Sequence, residues 1–217
     1  MTDPNRTAIY FLLDRSGSME SIRSDTEGGF DAFIAEQRHQ PGECRVTLAQ
    51  FDDEYSEVYR DVLVADVPPL RLQPRGTTAL LDSIGRLVTD AGCRLAALPE
   101  EQRPGSVILG IMTDGHENAS REFTHAQVKA MIETQTRSYG WQFLYLGADQ
   151  DAIEVGGRLG VGAAHSMTYG RGKVAAMMSA TSANIGRYRA ARAAGADAAE
   201  ASAVMAFDDA QRRSAQE

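Results

Sequence analysis

Cysteine is nearly missing from this chain, with only Cys44 and Cys93 among 217 residues. Their spacing fits neither a disulfide framework nor a zinc cluster, so neither staple is expected to hold the fold. Both are expected to be buried free thiols, Cys44 in a strand and Cys93 in a helix. Basic residues are in short supply as well, 22 Lys and Arg against 30 Asp and Glu, for a formal net charge of −8. Binding along a phosphate backbone needs a clustered excess of Lys and Arg, so nucleic acid is excluded as an expected partner. Long hydrophobic runs are missing too. The stretch Ile9-Tyr10-Phe11-Leu12-Leu13 is too short for a signal or a membrane span. The first residues, Met1-Thr2-Asp3-Pro4-Asn5-Arg6, lack a basic start followed by a long apolar region. A soluble cytoplasmic protein without membrane association is therefore expected. Four scattered histidines support no Ser-His-Asp arrangement, and no glycine loop with lysine is present to cradle a phosphate.

What the chain does have is apolar patterning, with 43% hydrophobic residues, enough to bury a real core. Four short, nearly continuous apolar runs read as strands buried on both faces: Ala8 to Leu13, Val46 to Phe51, Val107 to Met112 and Phe143 to Leu146. Tyr55 to Val62 alternates, follows Phe51 closely, and reads as an edge strand in antiparallel pairing. Ala164 to Tyr169 is a candidate last strand. Helical periodicity fills the gaps. Phe30, Phe33 and Ile34 share one face, although Gly28-Gly29 weakens the start of that helix. Leu80, Ile84, Leu87, Val88, Ala91 and Leu95 mark a second helix, with Thr77 or Thr78 as N-cap. Val128, Met131, Ile132 and Gln135 mark a third, and Val174, Met177, Met178, Thr181, Ile185 and Tyr188 a fourth. The expectation is a doubly wound α/β domain over residues 5–195. It has a mainly parallel sheet, one antiparallel edge strand and helices on both faces. Residues 196–217 are Ala-rich and read as a loosely held helix or a frayed tail.

In such a sheet, ligands gather at the carboxyl ends of the strands, near the point where strand order reverses. Three oxygen-rich spots fall there: Asp14-x-Ser16-x-Ser18 after the first strand, Gly76-Thr77-Thr78 before the Leu80 helix, and Thr113-Asp114-Gly115 after the strand ending at Met112. Hydroxyls and carboxylates are hard donors, suited to Mg²⁺, Mn²⁺ or Ca²⁺ rather than zinc or copper. Alternate spacing lets Asp14, Ser16 and Ser18 turn toward a common point. Gly17 and Gly115 let the backbone turn tightly beside them.

Together "FLLDRSGSM", "RGTTALLDSIG" and "IMTDGHEN" resemble the von Willebrand factor type A domain with its metal-ion-dependent adhesion site, over roughly residues 7 to 190. Small stand-alone bacterial and phage-borne members are the nearest in kind. The resemblance implies a three-layer, Rossmann-like fold. It makes Ser16, Ser18 and Thr78 direct hydroxyl ligands, with Asp14 and Asp114 binding through water or switching to direct contact. Thr77 stands where many members have glycine, so a ligand role for it does not follow. A Glu or Asp of a protein partner completes the shell in relatives, whose partners include AAA+ ATPases and chelatases. Glu117 and Asn118 are candidates for the rim or for starting a helix, His116 for an exposed loop position, and Glu20 and Asp82 for helix first turns. Asp149 and Asp151 are expected at the same sheet edge.

Three functions compete. The first is a metal-dependent protein-binding module, not an enzyme. The second is a metal-dependent phosphohydrolase with Asp14 as nucleophile, although such enzymes want a second acid where Ser16 stands. The third is a scaffold in which the ion is only a structural staple.

Overall fold

The computed structural model describes residues 2–217 and contains one six-stranded sheet in the order β3-β2-β1-β4-β5-β6. The strands are β1 (Asp3–Asp14), β2 (Glu43–Phe51), β3 (Tyr55–Leu63), β4 (Pro104–Thr113), β5 (Gln142–Ala148) and β6 (Ser166–Tyr169). All neighbours pair in parallel except β2 and β3, so β3 is the antiparallel edge strand. The helices are α1 (Arg23–Arg38), α2 (Leu80–Ala97), α3 (His125–Tyr139), α4 (Ala152–Arg158), α5 (Val174–Ala193), α6 (Ala198–Met205) and α7 (Asp209–Ser214).

Alternation along β1 explains the layers, because successive side chains of a strand point to opposite faces. Ile9, Phe11 and Leu13 pack with Phe30, Phe33 and Ile34 of α1 and with Met177, Met178 and Tyr188 of α5. Ala8, Tyr10 and Leu12 pack on the other face with Leu80, Ile84 and Leu87 of α2 and Val128 and Ile132 of α3. A strand covered on both sides has no polar face, hence the continuous apolar run.

Gly28-Gly29 does not mark the start of α1, which begins at Arg23 and runs through both. A β-carbon at Gly29 would lie 3.0 Å from Val174 Cγ1 and 3.3 Å from Met178 Cγ, so glycine there permits the close approach of α1 to α5. The segment from Ala196 differs from a frayed tail. It forms α6 and α7, and Ala201, Met205, Phe207 and Ala215 join the α1–α5 side of the core. Both helices begin with a capping box, from Asp197 with Glu200 and from Asp208 with Gln211. Of the two thiols Cys44 is buried, but Cys93 is exposed. It lies on α2 outside the apolar stripe of Leu80, Ile84, Leu87, Val88 and Ala91 that faces the sheet. Among the described residues no helix is long and apolar enough to cross a membrane.

Candidate metal centre

Strand order reverses between β1 and β4, and the three oxygen-rich loops meet at the carboxyl ends of these strands. The register that pairs Leu13 with Met112 carries Asp14 and Thr113 side by side beyond it. Asp14 is fully buried, and its carboxylate accepts from the Ser16 N–H (2.6 Å) and the Thr113 hydroxyl (2.5 Å). The chain then makes a 3-10 turn over Gly17–Ile22, anchored by the buried Met19 and Ile22. That turn brings Ser18 Oγ to 3.0 Å from Ser16 Oγ and lets it donate to Asp114 Oδ1 at 2.6 Å. The two serine hydroxyls are thus linked to each other and, through Ser18, to Asp114.

Thr78 reaches the same point from the loop before α2. A β-carbon on Gly115 would lie 2.9 Å from Thr78 Oγ1 and 3.5 Å from Asp14 Oδ2, so both oxygens border the small space that glycine leaves open. Asn118 fixes the Thr78 backbone from both sides: its Oδ1 accepts from the Thr78 N–H (2.9 Å), and its own N–H donates to the Thr78 carbonyl (3.1 Å). Asp14, Ser16, Ser18, Thr78 and Asp114 are thus gathered from three loops.

The electrostatics are those of a receptor for positive charge. Burial pushes the Asp14 carboxyl up to about 6, with a smaller contribution from the neighbouring Asp114 charge, against the hydrogen bonds from Thr113 and Ser16. Burial also raises Asp114, with a small push from the Asp149 charge, against the Ser18 hydrogen bond and the Arg171 charge. Asp114 Oδ2 is buried and has no hydrogen-bond partner among the described residues. An unpaired carboxylate oxygen out of water is costly unless something positive meets it. Among the described residues no group of three or more His, Cys, Asp or Glu could hold a metal. Any ion here would depend on hydroxyl as well as carboxylate oxygens, a donor set that fits a hard divalent cation.

The remaining candidates around the centre cap helices, tie loops together or stay exposed. Neither Thr77 nor Thr78 caps α2. Ala79 occupies the cap position without a side-chain bond, and the orphan N–H groups of Leu81 and Asp82 go to Glu117 Oε2 (2.8 Å) and Ser120 Oγ (3.0 Å). Glu117 also accepts from the Ala119 and Ser120 N–H groups and the Ser120 hydroxyl, so it ties its own loop to α2. Asp82 returns the connection by accepting from the N–H groups of Arg121, Glu122 and Phe123. Thr77 lines a separate polar cavity of about 630 Å³ with Asp53, Asp82 and Arg86. Asp151 caps α4 through the Glu154 N–H (2.9 Å), while Asp149 pairs with Arg171 (2.9 Å). Glu20 is exposed and lies 3.4 Å from Arg23, and His116 is an exposed loop residue. We expect Glu117→Ala to lower unfolding free energy by about 2–3 kcal/mol, since each bond to a charged acceptor is worth about 1.5–3 kcal/mol and water replaces part of them. Urea denaturation checks this, and a change under about 0.5 kcal/mol would contradict the tie.

No protein-family model and no curated protein matches the chain. Solved structures do. A von Willebrand factor type A protein from Catenulispora acidiphila matches with a TM-score of 0.57 at 14% identity, over 84% of this chain and 43% of that one. The von Willebrand factor domain of the type V pili tip protein Mfa5 from Porphyromonas gingivalis gives 0.57 at 12% identity, over 82% and 94%. Proximal thread matrix protein 1 from the mussel byssus, in a structure with a zinc-occupied metal-ion-dependent adhesion site motif, gives 0.54 at 16% identity, over 83% and 46%. The fold is that of a von Willebrand factor type A domain. The chain spans less than half the length of the Catenulispora and mussel chains.

Proposed function

We propose that the chain is a divalent-cation-dependent protein-binding module. Asp14, Ser16, Ser18, Thr78 and Asp114 would hold the ion, Mg²⁺ being the expected species. The observation that carries this reading is the convergence of five oxygen-bearing residues on one point, with the buried Asp114 Oδ2 left without a partner. When bound, the cation supplies an open coordination position for a carboxylate from a protein partner. The chain's own residues do the rest. Asp14 and Asp114 concentrate negative charge at the strand ends, and Ser18 bonds Asp114 while its hydroxyl meets that of Ser16. Gly115 leaves room beside Thr78, and Asn118 keeps that threonine in place. The mussel protein, with the same fold and a zinc-filled motif of this kind, supports the reading by analogy. A binding role is favoured over phosphoryl transfer because Ser16 holds the position where such chemistry needs a second acid.

A thermal melt series provides the test. With Mg²⁺ or Mn²⁺ at about 100 times the dissociation constant, ligand linkage adds about 2.7 kcal/mol. For a domain of this size that is about 5–10 °C over the value in EDTA. Ser16→Ala/Ser18→Ala is expected to lose the shift and to lose any partner captured in the presence of the ion. Equal melting of wild type with ion and with EDTA would refute the metal site.

A further inference from the structure

We infer that Asp52 is a positioning residue for this centre, holding two of its three loops in register through the guanidinium groups of Arg15 and Arg75. The inference rests on the metal-site reading above. Asp52 is the first residue past β2 and is fully buried. Its Oδ2 accepts from Arg15 Nε at 2.9 Å and from Arg75 Nε at 2.7 Å, and its Oδ1 accepts from the Glu54 N–H at 2.6 Å. Arg15 sits between Asp14 and Ser16, and Arg75 lies three residues before Thr78. One carboxylate is thus bound to the loop of Asp14, Ser16 and Ser18 and to the loop of Thr78, yet it belongs to neither.

The backbone is stitched at the same place. The Arg15 N–H donates to the Phe51 carbonyl (2.7 Å), the Arg75 N–H to the Arg15 carbonyl (2.8 Å), and the Gly17 N–H to the Gly76 carbonyl (3.3 Å). The Ala79 N–H donates to the Asp52 carbonyl (2.8 Å), so the residue after Thr78 is held by Asp52 as well. Burial works against the Asp52 charge, but the bonds from Arg75, the Glu54 N–H and Arg15 outweigh it and keep the carboxyl below its usual range. An exposed ion pair would carry little weight. A buried carboxylate with two charged donors differs, because removing its charge leaves both guanidinium groups without their common anchor. The loops would then lose their shared reference, and hydroxyls that must meet an ion within tenths of an ångström would drift apart. Residues that orient ligands in this way typically change metal affinity by about 10–100-fold when replaced.

The test is Mn²⁺ binding to the full chain, read by electron paramagnetic resonance of the free ion, with melting in EDTA as a parallel measurement. Asp52→Asn keeps the shape and one acceptor oxygen but loses the charge. We expect it to weaken Mn²⁺ binding by about 10-fold or more. Arg75→Ala, at a half-exposed side chain, should fold normally and weaken binding in the same direction. The double variant Asp52→Asn/Arg75→Ala should lose less than the product of the two single losses, since the residues share one contact although Arg75 also bonds Glu54. Unchanged Mn²⁺ affinity in Asp52→Asn, with only the melting temperature lowered, would make the cluster a plain stabilising one and overturn the inference. If Asp52→Asn does not fold, Arg75→Ala decides, and wild-type affinity there overturns it equally. Absence of Mn²⁺ binding by the wild type would bring down the metal reading itself, and this inference with it.

Discussion

Asp14→Asn is expected to melt higher than the wild type in EDTA at pH 7 and lower than the wild type in Mg²⁺. The two effects share one cause. The Asp14 carboxyl is pushed from an ordinary 3.8 up to about 6, chiefly by burial. A folded-state value above the unfolded one means that the folded protein holds the proton more tightly. This stability is fully present below about pH 4 and is lost as pH rises through about 6. At pH 7 the metal-free protein therefore carries a buried charge that opposes folding by about 1–3 kcal/mol, taking 1.36 kcal/mol per unit and allowing for relaxation. Asparagine removes that charge while its carbonyl oxygen still accepts from the Ser16 N–H. The expected gain in EDTA is about 3–8 °C at pH 7, shrinking to nothing near pH 4. With the ion present the order reverses, because only the carboxylate repays its desolvation. Melting curves at pH 4 and pH 7, with Mg²⁺ and with EDTA, read both halves. A variant that melts below the wild type in EDTA at pH 7 would show that Asp14 is not opposing the fold.

Phe30→Ala is expected to be among the most damaging single changes on the sheet's α1 side. Phe30 is fully buried and meets the Phe11 ring edge-on at 5.2 Å and the Phe33 ring at 6.1 Å. Truncating a buried phenylalanine removes about 3–5 kcal/mol, part of it from the cavity left behind. That corresponds to about 6–20 °C in this size range. Phe11 stands three residues before Asp14 in β1, and α1 follows the 3-10 turn that carries Ser18. The packing therefore supports the loop from below without touching its oxygens. The Mg²⁺ shift should survive in Phe30→Ala at a lower baseline. A loss of less than about 1 kcal/mol in urea would mean that α1 does not depend on this contact.

The readable part of the molecule was what repeats or condenses. Strands covered on both faces leave continuous apolar runs, so β1, β2, β4 and β5 stand out, and the alternation of Tyr55 to Val62 marks β3 as the edge. The candidate site was legible because three short motifs each fall just past or before such an element. Contacts across long separations leave no pattern. Asp82 and Glu117 bond across 36 to 41 residues, and neither partner segment carries a periodic signal. Arg15 reads as an arbitrary residue inside the serine motif until Asp52, 37 positions away, is seen beneath it. Helix α4 is too short to show a stripe, and the alanines of α6 look featureless although Ala201 and Met205 face the core.

The hydroxyl arrangement at the strand ends also fixes which way the centre is polarised. Ser18 donates to Asp114 and Thr113 to Asp14, and the Ser16 and Ser18 hydroxyls share a further bond. Each serine oxygen keeps acceptor lone pairs beyond the bonds it makes, so a cation entering between the loops would find oxygen donors there. The Asp14 carboxylate and Asp114 Oδ2 are buried, so their pull on a cation would persist at ionic strengths that screen the surface.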